Sequence, residues 1–219
     1  MNNNNLSRIW STSVSLAMAL IALVGASALA AGLGNTEQFA VEMTMTADMG
    51  AAGSQSMVAK YYVGEDRIRM QATLQGMEDA GSNIAVFDGD EVTIYTLMPG
   101  MKQYTKQVGT FDDYMDEGPG MMFGSPDDAD HPCQTEPDTT CEKIGSDTVM
   151  GRSTDKYYVK SVEDGVPTET EIWIDRELLF PLKFESDEGL VEATSLEFGT
   201  QPDALFEIPT GYTEMQTQW

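Results

Sequence analysis

Few residues in this chain could do chemistry. There is one histidine, His131, and there are two cysteines, Cys133 and Cys141. A Ser-His-Asp relay would have to use that one histidine, and no serine stands in a Gly-x-Ser-x-Gly elbow. No glycine loop of the Walker or dinucleotide type occurs. Paired carboxylates are plentiful, but with 36 acidic and 12 basic residues a pair carries little information. His131 with Cys133 and Cys141 is too small a set for a closed zinc site. Asp127, Asp128 and Asp130 cluster hard oxygen ligands and are the best calcium candidates. They lack the glycine and the distal glutamate of an EF-hand at the required offsets. Met43, Met45 and Met49 are soft thioether donors that suit copper, and apolar packing accounts for the same residues. No catalytic residue, metal or cofactor is expected, and the chain is read as non-enzymatic.

The two cysteines make sense in an exported protein. Arg8 supplies a positive start, Val14 to Val24 is an apolar run broken by Ser15, and Ala28-Leu29-Ala30 fits a small-x-small cleavage site. Residues 1–30 are therefore expected to be a signal peptide, and residues 31–219 one domain, periplasmic or secreted. The rival reading of the leader is an uncleaved anchor helix, which needs a longer apolar run. No cysteine stands at the cut to carry a lipid. In an oxidising compartment Cys133 and Cys141 are expected to form a disulfide that closes a short loop, with a contribution of roughly 2–3 kcal/mol.

Charge narrows the partners. The net charge is −24, and removal of the leader takes away Arg8 and no acid, leaving −25. A basic footprint for nucleic acid is absent, so no nucleic-acid partner is expected. The acids are dispersed, which fits a salty medium that screens their repulsion; the sharper alternative is binding of cations or cationic partners.

The elements that would position any site are strands. Phe39 to Met49 reads FAVEMTMTADM, with Phe39, Val41, Met43 and Met45 on one face and Glu42, Thr44 and Thr46 on the other. Met57 to Val63 and Ile68 to Leu74 alternate in the same way, with a turn at Gly64-Glu65-Asp66. Ile84 to Phe87 and Val92 to Leu97 flank the turn-forming Asp88-Gly89. Pro99-Gly100 turns into Met101 to Gln107. Residues 109–142 then hold ten acids, no lysine or arginine, and four prolines, and are expected to form an acidic excursion. Alternation returns at Lys156 to Ser161, Glu169 to Ile174, Pro181 to Glu185 and Val191 to Phe198. Asp203 to Phe206 reads as a single helical turn. The pattern predicts a mainly β (α+β) chain with a curved antiparallel sheet.

Glu171 to Glu185 (EIWIDRELLFPLKFE) and Leu196 to Tyr212 (LEFGTQPDALFEIPTGY) carry a resemblance. With Tyr61 to Met70 (YYVGEDRIRM) and Val86 to Tyr104, they resemble the LolA/LolB-like superfamily of periplasmic lipoprotein carriers, in particular its uncharacterised secreted relatives. The likeness covers about three-quarters of the mature chain. It implies an incomplete β-barrel of roughly eleven strands, a few short helices over the open side, and an apolar concavity for acyl chains. The long helical plugs of the carrier and the lipidated cysteine of its receptor are missing here. The resemblance implies a monomer that binds a lipid or lipoprotein acyl chain, lined by Phe39, Val41, Met43, Met45, Tyr61, Met70 and Trp173. Two alternatives stay open: an envelope protein-interaction or stress-sensing module that uses the acidic excursion, and a calcium-stabilised structural domain.

Overall fold

The computed structural model describes residues 37–48, 54–74, 77–110, 139–163, 166–187 and 189–215. The strands are β1 (Phe39–Asp48), β2 (Ser54–Val63), β3 (Arg67–Leu74), β4 (Met77–Asp88), β5 (Glu91–Met98) and β6 (Gln103–Thr110), then β7 (Thr140–Val149), β8 (Arg152–Glu163), β9 (Val166–Asp175), β10 (Pro181–Ser186), β11 (Gly189–Phe198) and β12 (Thr213–Glu214). All twelve belong to one sheet, in the order β12-β6-β5-β4-β3-β2-β1-β11-β10-β9-β8-β7. Two meanders, β1 to β6 and β7 to β11, join where β1 pairs antiparallel with β11. Every ladder is antiparallel except the two-residue pairing of β12 with β6. The sheet stays open, because β7 and β12 are edges. The leader 1–30, Met49, the calcium candidates Asp127, Asp128 and Asp130, His131 and Cys133 lie outside the described residues.

Period-two alternation explains the faces. On β1, Phe39, Val41, Met43 and Met45 are buried, and so are Met57, Ala59, Tyr61 and Val63 on β2. The same face continues through Ile68, Ala85, Phe87 and Val92 on one side and through Val191, Phe184, Ile172, Tyr157 and Cys141 on the other. This face is concave. Tyr61 on β2 and Phe180, which leads into β10, are three strand spacings apart, about 14 Å on a flat sheet. Their ring centroids lie 5.9 Å apart. The sheet therefore bends toward this face and its side chains meet across the bend.

One irregularity keeps β11 in phase. The register shifts between Glu42 and Met43, so Thr194 stands opposite no residue of β1. The extra residue puts Leu196 on the same face as Val191 and Ala193. The outer face of β3 to β6 has its own small core. There the tail after β11 crosses over and Phe206 packs on Ile84 and Leu97. Arg67 ties the tail down, with Nη2 2.9 Å from Asp203 and the guanidinium over the Phe206 ring at 5.2 Å. Gly64 permits this approach: a Cβ there would lie 3.2 Å from the tip of the Phe206 ring.

Three expectations change. The helical segments among the described residues are two 3-10 turns, Pro99–Met101 and Asp203–Phe206. The second lies on the outer face, not over the open side. Of the excursion expected at 109–142, residues 109–110 belong to β6 and 140–142 to β7, and 111–138 lie outside the described residues. The described residues form twelve strands, against roughly eleven expected.

Candidate functional site

The concave face is the candidate site, and cross-strand register lays it out in rows. One row runs Leu196, Val41, Tyr61, Met70 across β11, β1, β2 and β3. Another, four residues further along β1, runs Phe184, Val191, Met45, Met57 across β10, β11, β1 and β2. Between them lies a row of small residues: Ala193, Met43, Ala59, Ala72 and Gly81. Only Met43 in that row has a long side chain. Alanine and glycine are shorter than the tyrosine, valine and methionine beside them, so the row is a line of low side chains, a trough in outline, of which Met43, Ala59 and Ala193 are themselves buried. Asn83, opposite Met70 on β4, brings a polar group to the margin.

The two ends of the face differ. At the end where β1 starts, Phe39 and Phe180 are fully buried and meet edge to face with centroids 5.5 Å apart. Phe180 meets Tyr61 in the same manner, and Phe39 touches Phe198 at 6.4 Å. Edge-to-face pairs of this kind lock one another in place. At the other end the facing residues are Met45 and Met57, directly opposite each other on β1 and β2.

Of the seven residues expected to line a ligand site, Phe39, Val41, Met43, Met45 and Tyr61 lie together in this core, and Met70 packs against it. Trp173 does not join them. On β9 the inward positions are Ile172 and Ile174, so Trp173 points to the outer face. Its ring is covered by Lys156 at 4.5 Å and Lys183 at 4.2 Å, its direct neighbours on β8 and β10. The indole Nε1 donates to Asp147 at 3.1 Å. The Thr148 amide and that indole hold the Asp147 carboxyl below its ordinary range. Sequence reading passed over Met57, Ala59, Phe180, Leu182 and Phe184 as lining residues. The alternation of β2 carried the signal for the first two.

The outer face of β8 to β10 is a ladder of paired charges. Lys156 binds Glu171 at 2.7 Å and Lys183 binds Glu185 at 2.8 Å. The Tyr158 hydroxyl is pushed up to about 12, first by its hydrogen bond to Glu169, then by burial and by the charges of Glu169, Glu171 and Asp187. A raised value favours the neutral phenol. Its contribution to stability is present below the unfolded value near 10 and is lost as pH rises through the folded one. Glu169→Gln is expected to bring the Tyr158 midpoint back toward the ordinary phenol value in an alkaline titration followed by tyrosine-labelled NMR. An unmoved midpoint would rule out Glu169 as the cause.

Among the described residues no three histidine, cysteine or acidic side chains are grouped to hold a metal. Cys141 is buried in the main core. Its pairing with Cys133 stays a proposal, and a thiol titration of the unreduced, unfolded protein tests it.

No family model matches the sequence, and no curated protein does. Solved structures do match. The chain is similar to an uncharacterised conserved protein from Thermus thermophilus, with a TM-score of 0.51 and 9% identity, over 86% of this chain and 96% of that one. It is also similar to a LolA superfamily protein from Nitrosomonas europaea, with a TM-score of 0.36, 8% identity and coverage of 84% and 96%. A third match is a chain of the Pseudomonas aeruginosa MucA/MucB complex, with a TM-score of 0.43, 15% identity and coverage of 84% and 59%. At these identities the likeness is one of fold alone, an open, curved antiparallel sheet.

Proposed function

We propose that this protein is a non-enzymatic binding protein of the bacterial envelope that holds an acyl chain or another apolar ligand against its concave face. The observation that carries the reading is the trough. Short side chains at the centre of an apolar face call for another apolar group above them, because protein interiors are close-packed. Here three alanines and a glycine stand in register at that centre. Each methylene of a chain laid there contributes roughly 0.8 kcal/mol, so one tail is enough for tight binding. An export leader and a periplasmic location fit the same reading. Titration with a fluorescent fatty acid tests it. Saturable binding that unlabelled fatty acid displaces is the expected result, and a flat titration of delipidated, folded protein would overturn the reading.

A further inference from the structure

The two ends of the concave face are not equally able to yield to a guest, and this deepens the reading just given, on which it rests. At one end Phe39, Tyr61 and Phe180 expose 1% or less of their surface and interlock edge to face. To move one ring is to move its neighbours. At the other end Met45 and Met57 face each other and retain 8% exposure, and Met43, beside them in the next row, is 1% exposed. A strand wall that needs only to be apolar favours valine or isoleucine, which are stiff at χ1. Methionine is unbranched, turns about three side-chain bonds and fills irregular gaps. Three of them on two paired strands make a wall that can change shape at small cost.

We infer that the acyl chain lies against Met43, Met45 and Met57 rather than among the rings, and that these three residues set the tolerance of the site to chain shape. The ligand class is then unbranched acyl chains, straight and cis-unsaturated alike. A bent chain needs a wall that moves with it, and the thioethers supply one.

The experiment has two parts. Wild-type protein is loaded with a fatty acid that carries a diazirine on its chain, irradiated, and digested for peptide mapping. Adducts on β1 and β2 at Met43, Met45 or Met57 are expected. Adducts confined to Phe39, Tyr61 or Phe180 would overturn the inference while leaving ligand binding itself intact. A wild-type protein that takes up no fatty acid would instead defeat the functional reading. In the second part Met45→Ile/Met57→Val is compared with wild type for straight and cis-unsaturated chains of equal length. The double variant suits strands and changes volume little, so its melting transition is the check that it folds. It is expected to bind the straight chain as before and the cis-unsaturated chain about tenfold more weakly. An unchanged ratio between the two chains in a folded variant would show that the methionines do not govern chain shape.

Discussion

Replacement of Asp175 by alanine is expected to lower stability by about 2–3 kcal/mol, because it leaves the Glu177 and Leu178 amides without their buried acceptor, while Arg152 keeps Glu177 at 2.9 Å. Asp175 closes β9 and is 1% exposed. Its Oδ2 accepts from Arg152 Nε at 2.5 Å, and its Oδ1 accepts from Arg152 Nη2 at 3.0 Å. The same Oδ1 accepts the Glu177 and Leu178 amides, each at 2.9 Å. The Asp175 backbone closes the turn as well, with its amide donating to Phe180 and its carbonyl accepting from Leu179. That turn delivers Leu178 and Phe180 into the core, so one carboxylate anchors both an ion pair and the aromatic end of the concave face. Burial pushes its pKa up, but the Arg152 guanidinium and the two amides pull it lower overall. A depressed folded value means stability that is present above the unfolded value near 3.9 and lost as pH falls through the folded one. Urea unfolding at neutral pH and in acid measures this. In Asp175→Asn the fall in stability toward acid should be smaller than in wild type. A loss below about 1 kcal/mol for the alanine variant at neutral pH would place Asp175 outside the stability-determining set.

Ala72→Phe is expected to abolish ligand binding, with a loss of at least about 100-fold, equivalent to about 2.8 kcal/mol. Ala72 is half-buried and stands between Ala59 and Gly81 in the row of small residues. A phenyl ring there occupies the trough. If the trough is free for a guest, the fold should change in stability by less than about 1 kcal/mol, because nothing of the chain is displaced. Overpacking of a filled core would instead cost about 1–3 kcal/mol. Binding and stability together therefore separate a site from a core. Trp173→Phe is the matched control. It alters a large aromatic of the resembling motif on the opposite face, and fatty-acid affinity should stay as in wild type.

Much of the sheet was legible in the sequence where strands are half-buried. The FAVEMTM alternation of β1 placed Phe39, Val41, Met43 and Met45 on one side, and the structure keeps them there. β7 was not legible as a strand. Thr140–Val149 is an edge strand, exposed along nearly its whole length and bulged between Lys143 and Gly145, so no apolar period marks it. Trp173 was misplaced for a different reason. Its face depends on which residues of β8 and β10 lie beside it, and the pairing with Lys156 and Lys183 follows from register, which one strand read alone does not contain. The trough was hidden for the same reason. Ala59, Ala72 and Ala193 stand on three different strands and line up only once three ladders are in register.

Native mass spectrometry of the protein, exported in a bacterial host and purified without detergent, tests the central claim most directly. The account predicts a population heavier than the bare chain by the mass of an acyl-chain lipid, which organic extraction removes and added fatty acid restores. A single species at the mass of the bare chain, unchanged when fatty acid is added to the folded protein, would contradict it.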